Sequence, residues 1–389
     1  MSVLICVSVS ESNAERLLED GPRRDFLELA RSTGGKLLYQ RDARRGGGVW
    51  QKLAGPHIRQ AWRAASTARP GDTVFADGEH IGIPLLAFLL LRLRRDIRVV
   101  MLGHLIARRW KAVPLLVLSR IGTRGTLIVH SVTQATKICP YLGRAWALEL
   151  VPYQVDTEYW QPPGKPKSAA ERPVVLAVGS EHRDYSTLSK AVRGLNVSVR
   201  IAAGSHWARS IAHAGAIPPN VQYITEPLPF AALREEYASA AAVVVPLEDV
   251  ENQSGVTTIL EAMSMACAVV TTANAGQREC ISGPLVRSDS TLDRQAVCTR
   301  GPQAFSEATA RAPESDWTGF YVSPGDLAGL RAALVQLLES PQLRQEMGQA
   351  ARLSACQHFT FDRYIEALSV IIKASPNRPH SAMSTEPVR

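Results

Sequence analysis

Between Ala240 and Glu279 the chain runs through an apolar segment, a polar loop and a second apolar segment, with residue types suited to holding a phosphate ester. The run from Ala241 to Val245 is continuous and valine-rich, the pattern of a strand buried on both faces of a parallel sheet, and Pro246 ends it. Ser254 and Gly255 then precede Ile259, Leu260, Met263 and Ala266, whose spacing puts them on one helical face, with Ser254 read as the N-cap. The free N–H groups and positive dipole end of such a helix start attract an anion, and glycine lets a phosphate approach the backbone. Ser254, Gly255, Val256 and Thr257 are therefore the expected diphosphate contacts. Glu261 follows about two turns in, where a carboxylate can accept both hydroxyls of a ribose whose diphosphate lies at the helix start. A solvated surface glutamate is the plainer alternative. Residues 268–272, AVVTT, read as the next strand.

The order strand, proline, acidic loop, Ser-Gly, LEAMSMACAVVTT resembles the nucleotide-sugar-binding segment of family 4 glycosyltransferases with the GT-B fold. That family has two glutamates eight positions apart, the second holding the ribose. Glu261 matches the second; Gln253 stands where the first would be, and Gly255 lies one residue further from Glu261 than in the family. PVVLAVGSEHRDYSTLSKAV from Pro173 resembles the loop in which relatives place a glycine, an arginine and a lysine around the diphosphate. Here Gly179 is present, Ser180 occupies the arginine slot, and Arg183 is the residue expected to supply the cation. A guanidinium can bind two phosphate oxygens at once and does not lose its proton near neutral pH. The alternative is a surface contact between Arg183 and Asp184. VQYITEPLPF from Val221 resembles the segment whose loop backbone lies against the base, which implies Thr225 through Leu228. MLGHLIARRW resembles an N-terminal-domain loop whose histidine faces the cleft, which implies His104, although a lone histidine is more often structural.

The resemblance implies an α/β fold of the GT-B class: two facing Rossmann-like domains with parallel sheets and an interdomain cleft. The chain's 389 residues agree, exceeding what one core normally serves. The expected layout is an acceptor-binding domain at 1–160, a Pro-, Gly- and Lys-containing linker at 161–172, a nucleotide-sugar domain at 173–374 whose last helix crosses back, and a disordered tail at 375–389. The six cysteines are scattered without metal-ligand spacing and read as packing residues of a reducing compartment. No charged n-region precedes an apolar core at the N-terminus, so no signal peptide is expected and the location read is cytoplasmic. The first strand, VLICVSVS, lacks a following G-x-G-x-x-G, which argues against a dinucleotide site, and Arg44 to Gly48 reads as a surface loop.

Charge is uneven. Residues 1–150 carry 23 Lys and Arg against 12 Asp and Glu, while the whole chain has a net charge of +8. The positive groups Arg92, Arg94, Arg95, Arg108 and Arg109 flank apolar runs too short to span a bilayer. Such segments, with Trp110, suit either an anionic membrane surface, peripheral on its inner face, or the charged outer faces of core helices. The basic segments are apolar rather than interleaved with stacking aromatics, so nucleic acid is not an expected partner.

The expected reaction is transfer of a sugar from a UDP- or GDP-linked donor to a glycan, lipid-linked or small-molecule acceptor, with His104, Arg183 and Glu261 as the catalytic set. Retention of anomeric configuration is implied by the resemblance. No D-x-D occurs in the chain, so protein cations rather than a divalent metal are expected to hold the diphosphate, and no cofactor is expected. Two rivals stand beside this reading. An epimerase would use Glu79, His80 and His104 as its acid and base; a catalytically silent GT-B subunit would explain Gln253 and Ser180.

Overall fold

Short apolar runs closed by Gly, Pro or polar residues form the strands of two parallel sheets in a computed structural model that describes residues 2–12, 14, 21–41, 55–106, 109–164, 172–204, 217–277, 279–286, 292–293 and 316–374. Arg44 to Gly48, Arg108, part of the linker and the 375–389 tail lie outside the described residues. The chain divides into two units. The first holds the N-terminal strand, Arg23–Pro152 and the last helix from Asp362; the second holds Tyr153–Phe361.

In the first unit, strands β1 (Val3–Ser10), β2 (Lys36–Gln40), β3 (Thr73–Ala76), β4 (Arg98–Leu102), β5 (Gly125–Val129) and β6 (Trp146–Leu150) pair in the order β2-β1-β3-β4-β5-β6, all parallel. Helices α1 (Asp25–Thr33), α2 (Pro56–Thr67), α3 (Glu79–Leu91), α4 (Arg109–Ile121) and α5 (Val132–Ile138) connect them. The leucine-rich α3 is a core helix on one side, with Ile81, Leu85, Leu86 and Leu89 buried. Its last residue, Leu91, and Leu93 just beyond it are 76% and 83% exposed. No helix among the described residues is long and apolar enough to cross a membrane.

In the second unit, β7 (Val174–Val178), β8 (Ser198–Ala202), β9 (Val221–Ile224), β10 (Ala242–Val245), β11 (Ala268–Thr272), β12 (Leu285–Val286), β13 (Leu292–Asp293) and β14 (Gly319–Val322) pair in the order β13-β12-β14-β11-β10-β7-β8-β9. Among the described strand pairs, β12 with β13 is antiparallel and the others are parallel. Its helices are α6 (Tyr185–Ala191), α7 (Phe230–Ser239), α8 (Val256–Ser264), α9 (Leu327–Glu339) and α10 (Pro341–His358). Every residue of β10 and β11 is buried, as strands covered on both faces require. Trp160 is fully buried here and meets Tyr237 edge-on at 5.5 Å, while Arg352 ties the Trp160 and Ser264 carbonyls together at 2.8 Å each. The last helix, α11 (Phe361–Lys373), is anchored in the first unit, because Arg98 of β4 donates to the carbonyls of Ile371, Ile372 and Ala374 at its end.

Candidate active site

From the neighbouring strands β7 and β10 the chain departs in opposite directions, to β8 and β9 on one side and to β11 and β14 on the other. Loops at the carboxyl ends of such a pair diverge and leave room for a ligand. The loop after β7 carries Gly179, Ser180 and Arg183; the loop after β10 carries Gln253, Ser254 and Gly255.

Arg183 lies between two glycines. Gly179 and Gly255 have φ of 97° and 85°, a region costing other residues about 1–2 kcal/mol. A β-carbon on Gly179 would come within 2.5 Å of Arg183 Nη2, and one on Gly255 within 3.4 Å of Nη1. The guanidinium donates from Nε to the Val178 carbonyl at 3.0 Å, from Nη1 to the Glu181 carbonyl at 2.7 Å and from Nη2 to Thr258 Oγ1 at 3.3 Å. Arg183 is only 9% exposed, and among the described residues no carboxylate lies within ion-pair distance of it. Burial pushes its pKa below the ordinary value, yet a guanidinium so basic keeps its charge at neutral pH. Tyr185 and Glu181 favour the cation from nearby, but no described carboxylate pairs with it directly, which leaves this buried position suited to an anion. The Asp184 carboxylate is engaged elsewhere, capping α6 through the Thr187 N–H at 3.0 Å, which removes the expected alternative of an Arg183–Asp184 surface contact.

The start of α8 faces the same group. Its N-cap is Gly255, not Ser254: no side chain caps the helix, and Ser254 Oγ instead donates to Asn252 Oδ1 at 3.0 Å. The left-handed turn at Gly255 starts the helix one residue later than Ser254 would require. Val256 N–H donates to the Gln253 carbonyl at 3.3 Å, and the N–H groups of Thr257 and Thr258 have no acceptor among the described residues. They add to the positive field that Arg183 supplies.

Glu261 is buried on α8. Its Oε2 accepts from Tyr237 Oη at 2.9 Å, and burial raises the carboxyl to about 7 while Tyr237 pulls it the other way. Oε1 carries no hydrogen bond among the described residues. The expectation that both oxygens are available to a ribose is thereby narrowed to one oxygen plus a phenol that can reorient. Tyr237 is a site residue that the sequence pattern did not single out. Gln277 is another. Fully buried after β11, it donates to the Ser254 carbonyl at 2.6 Å and the Asn252 carbonyl at 3.2 Å, holding the loop that enters α8. Tyr321 of β14 braces Gln277 in turn, donating to its carbonyl at 3.1 Å.

Ser180 is half-buried beside Gly179, and Gln253 is half-buried in the loop before Ser254. Thr225, exposed, and Leu228, half-buried, follow β9 on the same edge of the sheet, but no hydrogen bond joins them to the Arg183 and Glu261 group. His104 belongs to the first unit. Its Nε2–H donates to the Asp77 carbonyl at 2.9 Å, its N–H to Glu79 Oε2 at 2.9 Å, and its carbonyl accepts from Gln134 Nε2 at 2.5 Å. Glu79 also accepts from the Leu105 N–H at 3.2 Å and from Lys111 Nζ at 2.5 Å. Both its oxygens are engaged at 2% exposure, so Glu79 orients the His104 loop and is not available as an acid or base.

Residues 172–312 match the family model for glycosyl transferases group 1. No curated protein sequence matches the chain significantly. Among solved structures, sucrose-phosphate synthase from Thermosynechococcus elongatus is similar over 95% of this chain and 97% of its own, with a TM-score of 0.64 and 15% identity. Anabaena HepE in complex with UDP and glucose aligns over 96% of this chain and 100% of its own, with a TM-score of 0.66 and 12% identity. An α,α-trehalose-phosphate synthase (UDP-forming) from Burkholderia xenovorans, in complex with glucose-6-phosphate, aligns over 96% and 99%, with a TM-score of 0.61 and 12% identity. At these identities the likeness is one of fold, the two parallel-sheet α/β units of the GT-B class. The match to the group 1 glycosyl transferases thus covers the segment that carries Arg183, Gly255 and Glu261, on a fold shared with the GT-B structures.

Proposed function

We propose that the protein transfers a sugar from a nucleoside diphosphate sugar to a hydroxyl-bearing acceptor, with retention and without a divalent metal. The observation that carries this reading is Arg183, a buried cation lacking a carboxylate partner among the described residues, set beside the free N–H groups that open α8. As the bond from the sugar to the diphosphate breaks, negative charge accumulates on the leaving phosphate. Groups already aimed there stabilise that charge without reorganising. Glu261 and Tyr237 hold the ribose, and Thr225 to Leu228 lie against the base. UDP is the favoured nucleotide, in keeping with the UDP named in the HepE and trehalose-phosphate synthase structures. The acceptor binds the first unit at His104. Calorimetric titration with UDP and GDP tests this: micromolar binding of either, lost in Glu261→Ala, is expected, and binding of neither contradicts the reading.

The first unit also has a face suited to an anionic membrane surface, which would favour a lipid-linked acceptor. On α4 the residues Trp110, Val113, Val117 and Ile121 recur at helical spacing, each about half exposed or more, and Leu91 and Leu93 are still more open. Arg92 lies over the Trp62 ring at 4.0 Å. Arg94 departs from the expected lipid-facing set, because it is paired with Asp96 at 2.8 Å.

A further inference from the structure

The loops after β7 and β10 are zipped to one another. Asp184 N–H donates to the Pro246 carbonyl at 3.0 Å, Glu248 N–H donates to the His182 carbonyl at 3.0 Å, and Arg183 and Leu247 form an antiparallel bridge between them. The strands that feed the two loops are parallel, so one loop must turn back before they can pair this way. The loop after β7 contains two residues of positive φ, Gly179 at 97° and His182 at 52°. Glycine takes such a φ freely, whereas a residue with a β-carbon is held in it by its surroundings. His182 is held from two sides. Its carbonyl is fixed by the Glu248 N–H, and its Nδ1 lies 3.3 Å from Glu248 Oε2, where an ionised carboxylate can only accept and the ring must donate. The Glu248 carbonyl accepts in turn from Nδ2 of the buried Asn274 at 2.7 Å, which ties the clip to the loop after β11.

The two residues of positive φ stand directly after two carbonyls that hold Arg183. Nε donates to the Val178 carbonyl, one residue before Gly179, and Nη1 donates to the Glu181 carbonyl, one residue before His182. A carbonyl's direction is set by its own ψ and by the φ of the next residue, because the peptide unit between them is planar. An ordinary negative φ at His182 would swing the Glu181 carbonyl away from Nη1. A long arginine side chain loses much rotamer freedom in taking one direction, and acceptors fixed beforehand remove that cost from ligand binding.

We propose that His182 is a positioning residue for the diphosphate: its left-handed turn, clipped to Glu248, aims the Glu181 carbonyl at Nη1 and so presets the Arg183 guanidinium. The proposal deepens the glycosyl-transfer reading and rests on it. His182 itself does not touch the ligand and acts through Arg183.

Calorimetry with uridine and UDP on the full chain tests this, each variant being checked for folding by circular dichroism. His182→Gly keeps the turn and loses only the ring's contact at the surface, so it should bind UDP within about threefold of the wild type. His182→Val, whose branched β-carbon opposes a positive φ, should bind UDP about tenfold more weakly and uridine as before. His182→Ala should fall between the two, and it takes the place of the valine variant throughout if that one does not fold. In an Arg183→Ala background His182→Val should have no further effect on UDP, since nothing is left to position. A glycine variant as weak for UDP as the valine one, equal losses for uridine and UDP, or a loss that adds in full to that of Arg183→Ala overturns the proposal. Failure of UDP to bind the wild type contradicts glycosyl transfer itself, whereas normal UDP binding by the wild type and by His182→Val alike removes the positioning role alone.

Discussion

Tyr237 Oη donates to Glu261 Oε2 at 2.9 Å, and both side chains are buried, one on α7 and the other on α8. The phenol thus fixes one carboxylate oxygen, while the other has no hydrogen bond among the described residues. Tyr237→Phe removes a hydrogen bond to a buried group and is expected to cost about 1–3 kcal/mol of stability in urea unfolding. It should also weaken uridine binding less than Glu261→Ala does, since the carboxylate itself survives. Equal losses of uridine binding in the two variants would place Tyr237, not Glu261, against the ribose.

The raised carboxyl of Glu261 gives stability a sign with pH. The folded chain keeps a proton that the unfolded chain has released between the ordinary 4.5 and about 7. Stability of the ligand-free protein therefore falls as pH rises through that window, by up to about 3 kcal/mol from this group, and levels off above it. Glu261→Gln cannot titrate, so its stability should decline less steeply from about pH 5 to about pH 7. Parallel unfolding curves for the two proteins across that range would show that Glu261 is ionised when folded.

Gln277 offers a test of the loop that enters α8. Gln277→Leu keeps the volume but leaves the Asn252 and Ser254 carbonyls without their donor. UDP binding is expected to weaken by about tenfold, with the circular dichroism spectrum unchanged. Unaltered UDP affinity in a folded variant would mean that the loop is held in place without Gln277.

Much of this arrangement was legible along the chain. The valine runs at β10 and β11, the glycines at 179 and 255 and the cation at Arg183 stand within local patterns, and parallel pairing of β7 with β10 brings them together. Ser254 fits a cap by type, but the positive φ of Gly255 moves the helix start by one residue. Tyr237 and Gln277 were not legible for a different reason. Their partners lie 24 and 23 residues away, on elements whose adjacency only the folded strand order decides.

The exposed apolar face of α4 predicts membrane behaviour. The protein should sediment with anionic vesicles and be released by salt, as basic groups around an apolar stripe require. A Trp110→Ser, Val117→Asp double variant should bind those vesicles about tenfold less. Binding to neutral vesicles as strong as to anionic ones, or to neither, would assign this face to solvent.

The central claim is that the buried Arg183 guanidinium holds the diphosphate. Calorimetry with uridine, UMP and UDP on wild type and Arg183→Ala, each checked for folding by circular dichroism, measures it most directly. The account predicts little change for uridine and a loss for UDP of about 1.5–3 kcal/mol, the scale of a charge-assisted hydrogen bond. A folded Arg183→Ala protein that binds UDP as tightly as wild type, or that loses uridine and UDP equally, would contradict it.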